Sequence, residues 1–294
     1  MTAPDQLIGV TGASGALGGR VAARLATAGA AQRLVVRDAA RAPQLGGAEV
    51  RAAPGGYADH AGLTEALAGV HTLLLVSAAE SETRADEHRS AVAAAAAAGV
   101  AHVVYLSFLG AAADATFTLA RDHDATEAAI RATGVPFTFL RDSLYADFVP
   151  GMVGADGVLR GPAGSGRVAP VARDDVADAA AAVLLDPATH AGATYDLTGP
   201  EALTLAEACA VMAQFSGLPL QYHAEELQEA FESRMGPDVA DFEIDAWVTS
   251  YLAIREGELD IVSPAVRTLA GHEPLGLLEV LERRPGCLDH VTAR

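Results

Sequence analysis

The sequence predicts an α/β fold: a doubly wound parallel sheet with a small, mainly helical C-terminal cap. Three observations predict it. The first half alternates short apolar runs with helical segments at close intervals. A glycine-spaced turn follows the first apolar run and opens the first helix. After Arg141 the alternation loosens into a Gly-rich stretch and then a series of helices. Near-continuous apolar strands separated by helices belong to a parallel sheet covered on both faces.

The elements follow in order. LIGV (7–10) reads as the first strand and 16–28 as a helix. RLVVR (33–37), EVRAA (49–53), HTLLLVS (71–77), HVVYLSF (102–108) and PFTFLR (136–141) are the next strands. Helical segments lie near 60–68, 82–98 and 119–133. The Ala-rich run 91–98 has strong helix propensity and reads as packing. The stretch 151–171 fits a long loop with short extended pieces. The segment 174–186 is a helix with acids at its positive end, and 193–199 returns a strand to the sheet. Thr204 and Glu207 are spaced as a capping box for a helix over 203–217. Further helices lie near 224–234, 238–255 and 275–283. Trp247 and Tyr251 share a helical face that reads as core packing; a substrate or dimer surface is the alternative. The domain reading is a dinucleotide-binding region over 1–150 and a mixed cap and substrate region over 151–294, with 171–199 rejoining the main sheet.

Composition narrows the chemistry. The chain has 294 residues, 51% of them hydrophobic, and a formal charge of −18. All its basic residues other than histidine are Arg, and there is no Lys. That excludes a Lys Schiff base, a P-loop that needs its phosphate-binding Lys, and a Tyr-Lys reductase centre. The acidic balance argues against nucleic acid as a direct partner and against an anionic membrane surface. Two cysteines are too few for a disulfide scaffold or a cysteine metal site. The nine histidines form no metal-ligand spacing, so no metal is expected. MTAPDQLIGVTG at the N-terminus has no basic region or apolar signal core, and a cytoplasmic protein is the expectation.

The strongest motif is Thr11-Gly12-Ala13-Ser14-Gly15-Ala16-Leu17-Gly18. Gly12 permits a tight turn, Gly15 a close approach of pyrophosphate, and Gly18 close packing of the helix on the sheet. The free N–H groups of the helix start bind phosphate. This is a Rossmann-like arrangement for a dinucleotide. The second strand ends in Arg37-Asp38. Arg37 suits the 2′-phosphate of NADP(H), the favoured cofactor, whereas Asp38 keeps NAD(H) open. Tyr57 follows the third strand, where it either encloses adenine or sits on a surface loop. Val76, Ser77 and Ala78 end the fourth strand beside the cofactor's inner ribose. Ser107 and Phe108 end the fifth, facing the nicotinamide region.

The helix that would carry Tyr-Lys instead carries His123 and Glu127, four apart on one face. His123 is a candidate proton donor to a reduced oxygen, with Glu127 orienting the helix or the ring; a surface His–Glu pair is the alternative. Arg141, Ser143 and Tyr145 leave the sixth strand and are candidates to line the substrate cleft. Tyr145 is a candidate to stack on a flat acceptor or donate a hydrogen bond, and Phe148 to complete an apolar wall. A quinone suits a site so poor in acid–base groups, because orientation and exclusion of water then carry most of the task.

In the order of these segments the chain resembles the NmrA-like branch of the atypical short-chain dehydrogenases, nearest the bacterial NAD(P)H:quinone oxidoreductase type 2 group. The pieces that carry the resemblance are TGASGALGG (11–19), VVRD (35–38), LLLVSAAE (73–80), the His123–Glu127 helix, VPFTFLRDSLY (135–145), GRVAPVARDDVADAAAAVL (166–184) and YDLTGPEALTLAEACA (195–210). The resemblance implies that Gly12, Gly15, Gly18 and Arg37 bind NADP. It implies that His123 and Glu127 stand in place of Tyr-Lys, and that Arg141 and Tyr145 form the piece after the sixth strand. One departure is Gly56, where that group often has an acid. The implied activity is hydride transfer to a small aromatic or quinone-like molecule by a monomer or homodimer. A non-catalytic redox sensor, or a tailoring reductase or isomerase of secondary metabolism, is the competing implication.

Overall fold

A computed structural model describes residues 6–292. The first five residues of the stretch read for a signal lie outside the described residues. In chain order the elements are β1 (Ile8–Thr11), α1 (Ala16–Thr27), β2 (Gln32–Val36), β3 (Ala48–Ala52), α2 (His60–Leu67), β4 (Thr72–Leu75), α3 (Arg84–Ala97), β5 (His102–Phe108), α4 (Thr118–Thr133) and β6 (Phe137–Asp142). There follow β7 (Val158–Gly161), β8 (Arg167–Val168), α5 (Arg173–Leu185), β9 (Thr194–Leu197), β10 (Leu203–Thr204), α6 (Leu205–Ser216), β11 (Gln221–Ala224), α7 (Leu227–Glu232), α8 (Asp241–Arg255), α9 (Ala265–Ala270) and α10 (Leu277–Glu282).

Seven strands form one sheet in the order β3-β2-β1-β4-β5-β6-β9. The pairs β1–β2, β1–β4, β2–β3 and β4–β5 run parallel, with Val10 opposite both Leu34 and Leu74. Strand order therefore reverses between β1 and β4, the switch point where doubly wound sheets open a crevice at their carboxyl ends. The strands are apolar because both faces are covered: all residues of β1, β2, β4 and β5 are buried. On one face Leu73, Leu75, Tyr105 and Phe139 pack with Leu63, Leu67, Val92 and Ile130 of α2, α3 and α4. The alanines of α3 do what the sequence predicts of them: Ala91, Ala94 and Ala95 are buried and bring the helix close to the sheet.

The chain divides into two compact units that are not consecutive lengths of sequence. The first comprises residues up to 108, 122–141 and 176–195; the second comprises 109–121, 142–175 and the chain from 196 onward. Within the second unit β7 pairs with β11 in parallel and β8 with β10 antiparallel. The capping box of α6 forms as its spacing predicts, with Thr204 Oγ1 accepting from the Glu207 N–H at 3.1 Å and Glu207 accepting from the Thr204 N–H at 2.8 Å. Tyr251 packs on Gly161, where a Cβ would lie 2.3 Å from the ring. Trp247 does not share that burial and is 39% exposed, so of the Trp247–Tyr251 pair only Tyr251 packs. The helix buries Ile244, Val248, Tyr251 and Ile254, and Trp247 falls beside that stripe. Three elements escape the sequence reading: β10 takes the first two residues read as helix, β11 is a polar QYHA segment held by its ladder with β7, and α9 has six residues. Among the described residues no helix is long and apolar enough to cross a membrane.

The lower edge of the sheet carries a buried histidine. His102 Nε2 lies 2.9 Å from Thr138 Oγ1, whose hydroxyl donates to the His190 carbonyl at 2.8 Å. The imidazole Nε2–H is therefore the donor. Burial, then the neighbouring His71 and His190, pulls its pKa down to about 4. The unfolded chain protonates this group near 6.5. Between those values the unfolded state holds more protons, so stability rises with pH through that window and is lost as pH falls. Lowering the pH from 7 to 4.5 should cost the native protein about 2 kcal/mol more than His102→Gln, by urea unfolding.

Candidate active site

The site begins where β1 ends. Gly12 takes a positive φ of 62°, and its carbonyl accepts from the Gly15 N–H at 2.8 Å. Gly15 is the N-cap of α1, in extended conformation, with no side-chain cap and no acid in the first turn. The first N–H groups of α1 thus have neither intrahelical acceptors nor a capping side chain. Gly18 has no freedom to vary, because a Cβ there would lie 2.4 Å from the Gly12 oxygen. At Gly15 the nearest atom would be 3.2 Å away. The chain itself therefore leaves that position far more room than it leaves Gly18. The donors, the absent cap and the lack of negative charge suit a phosphate group.

A cleft of about 570 Å³ opens over this turn. It gathers Gly12, Ser14, Gly15, Ala16, Leu17 and Gly18 with Arg37, Tyr57, Val76, Ser77 and Ala78. Thr11 sits behind them, fully buried. Asp38, the residue that kept NAD(H) open, is not in the lining. Its carboxylate accepts from the Ala40 N–H at 2.9 Å and caps a short turn. Gly56 also has a positive φ, and a Cβ on it would lie 3.4 Å from Arg37 Cδ. The Tyr57 hydroxyl is 2.6 Å from both Thr11 Oγ1 and the Val76 carbonyl, and the Val76 N–H donates to Thr11 Oγ1 at 2.9 Å. Burial holds the Tyr57 phenol above its ordinary pKa, so it stays protonated and its ring forms a fixed wall.

The α4 pair is buried, and its two members serve different partners. His123 is 6% exposed. Its Nε2 lies 2.9 Å from Arg84 Nη2 and its Nδ1 2.9 Å from the Tyr105 hydroxyl. A guanidinium only donates, so Nε2 accepts and Nδ1–H donates to Tyr105. Burial, then Arg84, His88 and Arg141, holds the His123 pKa well below 6.5. Phe108 leans on the ring at 6.1 Å between centroids. Glu127 is fully buried and binds neither ring nitrogen. It accepts from Ser107 Oγ at 2.7 Å, from Arg141 Nε and Nη2 at 2.8 and 2.7 Å, and from Arg131 Nη2 at 3.0 Å. Neither a surface pair nor a His–Glu dyad is present. Ser107, Phe108, His123, Glu127 and Arg141 are not among the residues lining the cleft.

Ser143, Tyr145 and Phe148 lie in the second unit. Ser143 is buried, and its Oγ has no hydrogen-bond partner. The Tyr145 hydroxyl donates to Asp142 Oδ2 at 2.5 Å, and Arg173 stacks 4.7 Å from its ring centroid. Burial and then the Asp142 charge hold this phenol well above its usual pKa. Phe148 is 56% exposed.

Three residues of the first unit escape the sequence reading: Arg84, His88 and Tyr105. His88 Nε2 accepts from the Ala78 N–H at 2.8 Å, and Arg84 Nε donates to the Ala78 carbonyl at 3.0 Å. The available signal was the Arg84/His88 spacing of four on a helix whose remaining inward residues are almost all Ala and Val.

A family model described as NAD(P)H-binding matches residues 12–187. The chain belongs to this NAD(P)H-binding family. It is 34% identical to quinone oxidoreductase 2 of Escherichia coli, over 93% of this chain and 96% of that protein. The crystal structure of that NADPH-dependent enzyme complexed with NADPH matches with a TM-score of 0.85, covering 94% of this chain and 99% of that one. The chain is 37% identical to the (4-alkanoyl-5-oxo-2,5-dihydrofuran-3-yl)methyl phosphate reductase of Streptomyces griseus, over 90% of this chain and 93% of that protein. The negative transcriptional regulator NmrA in complex with NADP matches with a TM-score of 0.77 at 15% identity, a likeness of fold alone. Family and full-length relatives together make this protein an NAD(P)H-dependent oxidoreductase.

The buried Glu127 carboxylate is the charge that compensates Arg141. Removing one partner of a buried pair strands the other. Glu127→Gln should lower the unfolding free energy by about 3–5 kcal/mol in urea titrations, with Glu127→Asp less affected.

Proposed function

We propose that the protein transfers hydride from NADPH to a quinone or a related flat carbonyl compound. The observation that carries this reading is the state of the acid–base groups. The chain has no Lys, and the His123 imidazole is neutral with both nitrogens engaged. Such a site favours an acceptor that needs little acid assistance. A quinone that takes the hydride, two electrons and one proton together, becomes a stabilised hydroquinone anion, and its second proton then comes from water or a weak donor. When bound, NADPH supplies the hydride.

The chain's own residues bind and orient. The N–H groups of Ala16 and Leu17, at the start of α1, suit the pyrophosphate. The Arg37 guanidinium suits the 2′-phosphate, and Asp38, engaged as a turn cap, is diverted from a ribose 2′-hydroxyl. This reading favours NADP(H) over NAD(H). Tyr57 and the backbone of Val76–Ala78 shape the wall. His123 and Glu127 brace the end of β5 in this reading, in place of the proton donation that their spacing suggests.

One observation favours a second acceptor class. The Streptomyces griseus relative, with 37% identity over nearly the full length, is named for a dihydrofuranone substrate that also carries ring and chain carbonyls and a phosphate ester. A tailoring reductase acting on such a ring compound is therefore the second reading.

Purified protein should oxidise NADPH, followed at 340 nm, when benzoquinones or naphthoquinones are added. Protein that binds NADPH but turns over with the dihydrofuranone phosphate and with no quinone would transfer the assignment to the second class. Arg37→Ala should raise the KM for NADPH about 10–100-fold, the loss of a charge-assisted contact, and leave that for NADH within about twofold. Equal losses for both cofactors would remove Arg37 from the 2′-phosphate.

A further inference from the structure

We infer that Arg84 and His88 are positioning residues for the dinucleotide: from α3 they set the backbone of Ala78 in the cleft wall, and His123 serves that task through Arg84. The inference rests on the reading of the cleft as the NADPH site.

β4 ends at Leu75, so Ala78 has no ladder partner. Both of its backbone groups are nevertheless engaged by side chains. His88 takes the N–H and Arg84 takes the carbonyl, at 2.8 and 3.0 Å. The two residues stand four apart on α3 and face the same way. Each is in turn held by α4. His88 Nδ1 lies 2.8 Å from Thr126 Oγ1, whose hydroxyl donates to the Asp122 carbonyl at 2.7 Å. Arg84 reaches His123 Nε2 at 2.9 Å and Asp122 Oδ2 at 3.3 Å.

The donors fix both tautomers. An N–H and a guanidinium can only donate, so His88 and His123 each accept at Nε2 and donate at Nδ1. Neutral imidazoles are required, and burial holds both pKa values down, that of His88 to about 3.

The cost of this arrangement points to its use. Arg84 is 4% exposed, and burying a guanidinium is expensive unless every donor is matched. Left to solvent, a loop just past a strand end would find its partners in water. Here a buried cation and a buried imidazole replace that water. Two positions earlier, Thr11 and Tyr57 hold the N–H and carbonyl of Val76 in the same manner. The wall from Val76 to Ala78 is therefore pinned at both ends by four side chains, none of which needs to touch the ligand through its polar atoms. A wall set before binding lowers the ordering cost that binding would otherwise carry.

Two conservative variants separate positioning from general stability. His88→Gln keeps an acceptor near the place of Nε2, towards the Ala78 N–H. His88→Asn keeps a polar group near Nδ1, towards Thr126, and loses the Ala78 bond. In fluorescence titrations of the full-length protein, His88→Asn should raise the Kd for NADPH tenfold or more, and His88→Gln should stay within about threefold. Steady-state rates should show the same ordering in the KM for NADPH, with the KM for the acceptor unchanged. Arg84→Lys keeps the charge and loses the fork, and should weaken NADPH as His88→Asn does. Parental Kd values in His88→Asn and Arg84→Lys overturn the inference, as does equal weakening in the two His88 variants. If His88→Asn does not fold, the Kd of Arg84→Lys decides by itself. Failure of the parent protein to bind NADPH overturns the cofactor reading instead.

Discussion

A fully buried carboxylate governs the first unit. Glu127 has no water to solvate it, so its charge must be met by donors inside the protein. Ser107 at the end of β5, Arg141 at the end of β6 and Arg131 one turn along α4 meet it. Each donor belongs to an element whose position the carboxylate thereby specifies. A short hydroxyl bond and a two-pronged guanidinium tolerate little displacement. With α4 so fixed, His123 arrives one turn away beside Arg84 and Tyr105, and the links to α3 follow.

The polar interior of this unit serves mainly to hold backbone. Thr11, Tyr57, Arg84 and His88 each form a hydrogen bond with the backbone of Val76 or Ala78 in the cleft wall, and the ring of Tyr57 lines the cleft. Burial keeps the phenol protonated and the two imidazoles neutral. The result is a cleft with positive groups at the start of α1 and at Arg37, and with the buried phenol and imidazoles engaged in holding its wall. That combination matches a binding and orienting role towards a polyanionic dinucleotide far better than it matches proton transfer by a side chain.

Exclusive use of Arg has a structural counterpart. A guanidinium keeps its charge when buried and offers several donors in one plane. Arg33 joins Glu49 to the carbonyls of Ala66 and Ala68, Arg141 grips Glu127 with two bonds, and Arg84 spans a carbonyl, an imidazole and a carboxylate. A lysine has one point of charge and would not bridge three elements in this way.

Much of the fold was legible in the sequence, because its signals are local. Apolar runs of four to seven residues separated by helical periods specify a parallel sheet wherever they fold. The spacing of Gly12, Gly15 and Gly18 states a steric requirement within eight residues, and the structure exhibits it as a positive φ and a contact that no Cβ would permit. The Arg37-Asp38 pair posed the cofactor question but did not answer it, since the capping bond that turns Asp38 away depends on the backbone after β2. The His123/Glu127 spacing placed both side chains on one face and could not say what that face meets. Their partners lie as far as 39 residues away, on α3 and on the strand ends. Arg84, His88 and Tyr105 carry no sequence mark of their partners for the same reason. A residue's periodicity is written in its neighbours along the chain, whereas its hydrogen-bond partner is chosen by sheet order and helix packing. The sequence by itself determined the strand–turn–helix whose geometry suits phosphate. The tertiary structure alone decided which buried polar groups hold that cleft in shape, because only packing brings their donors within 3 Å of an acceptor and excludes the water that would otherwise satisfy them.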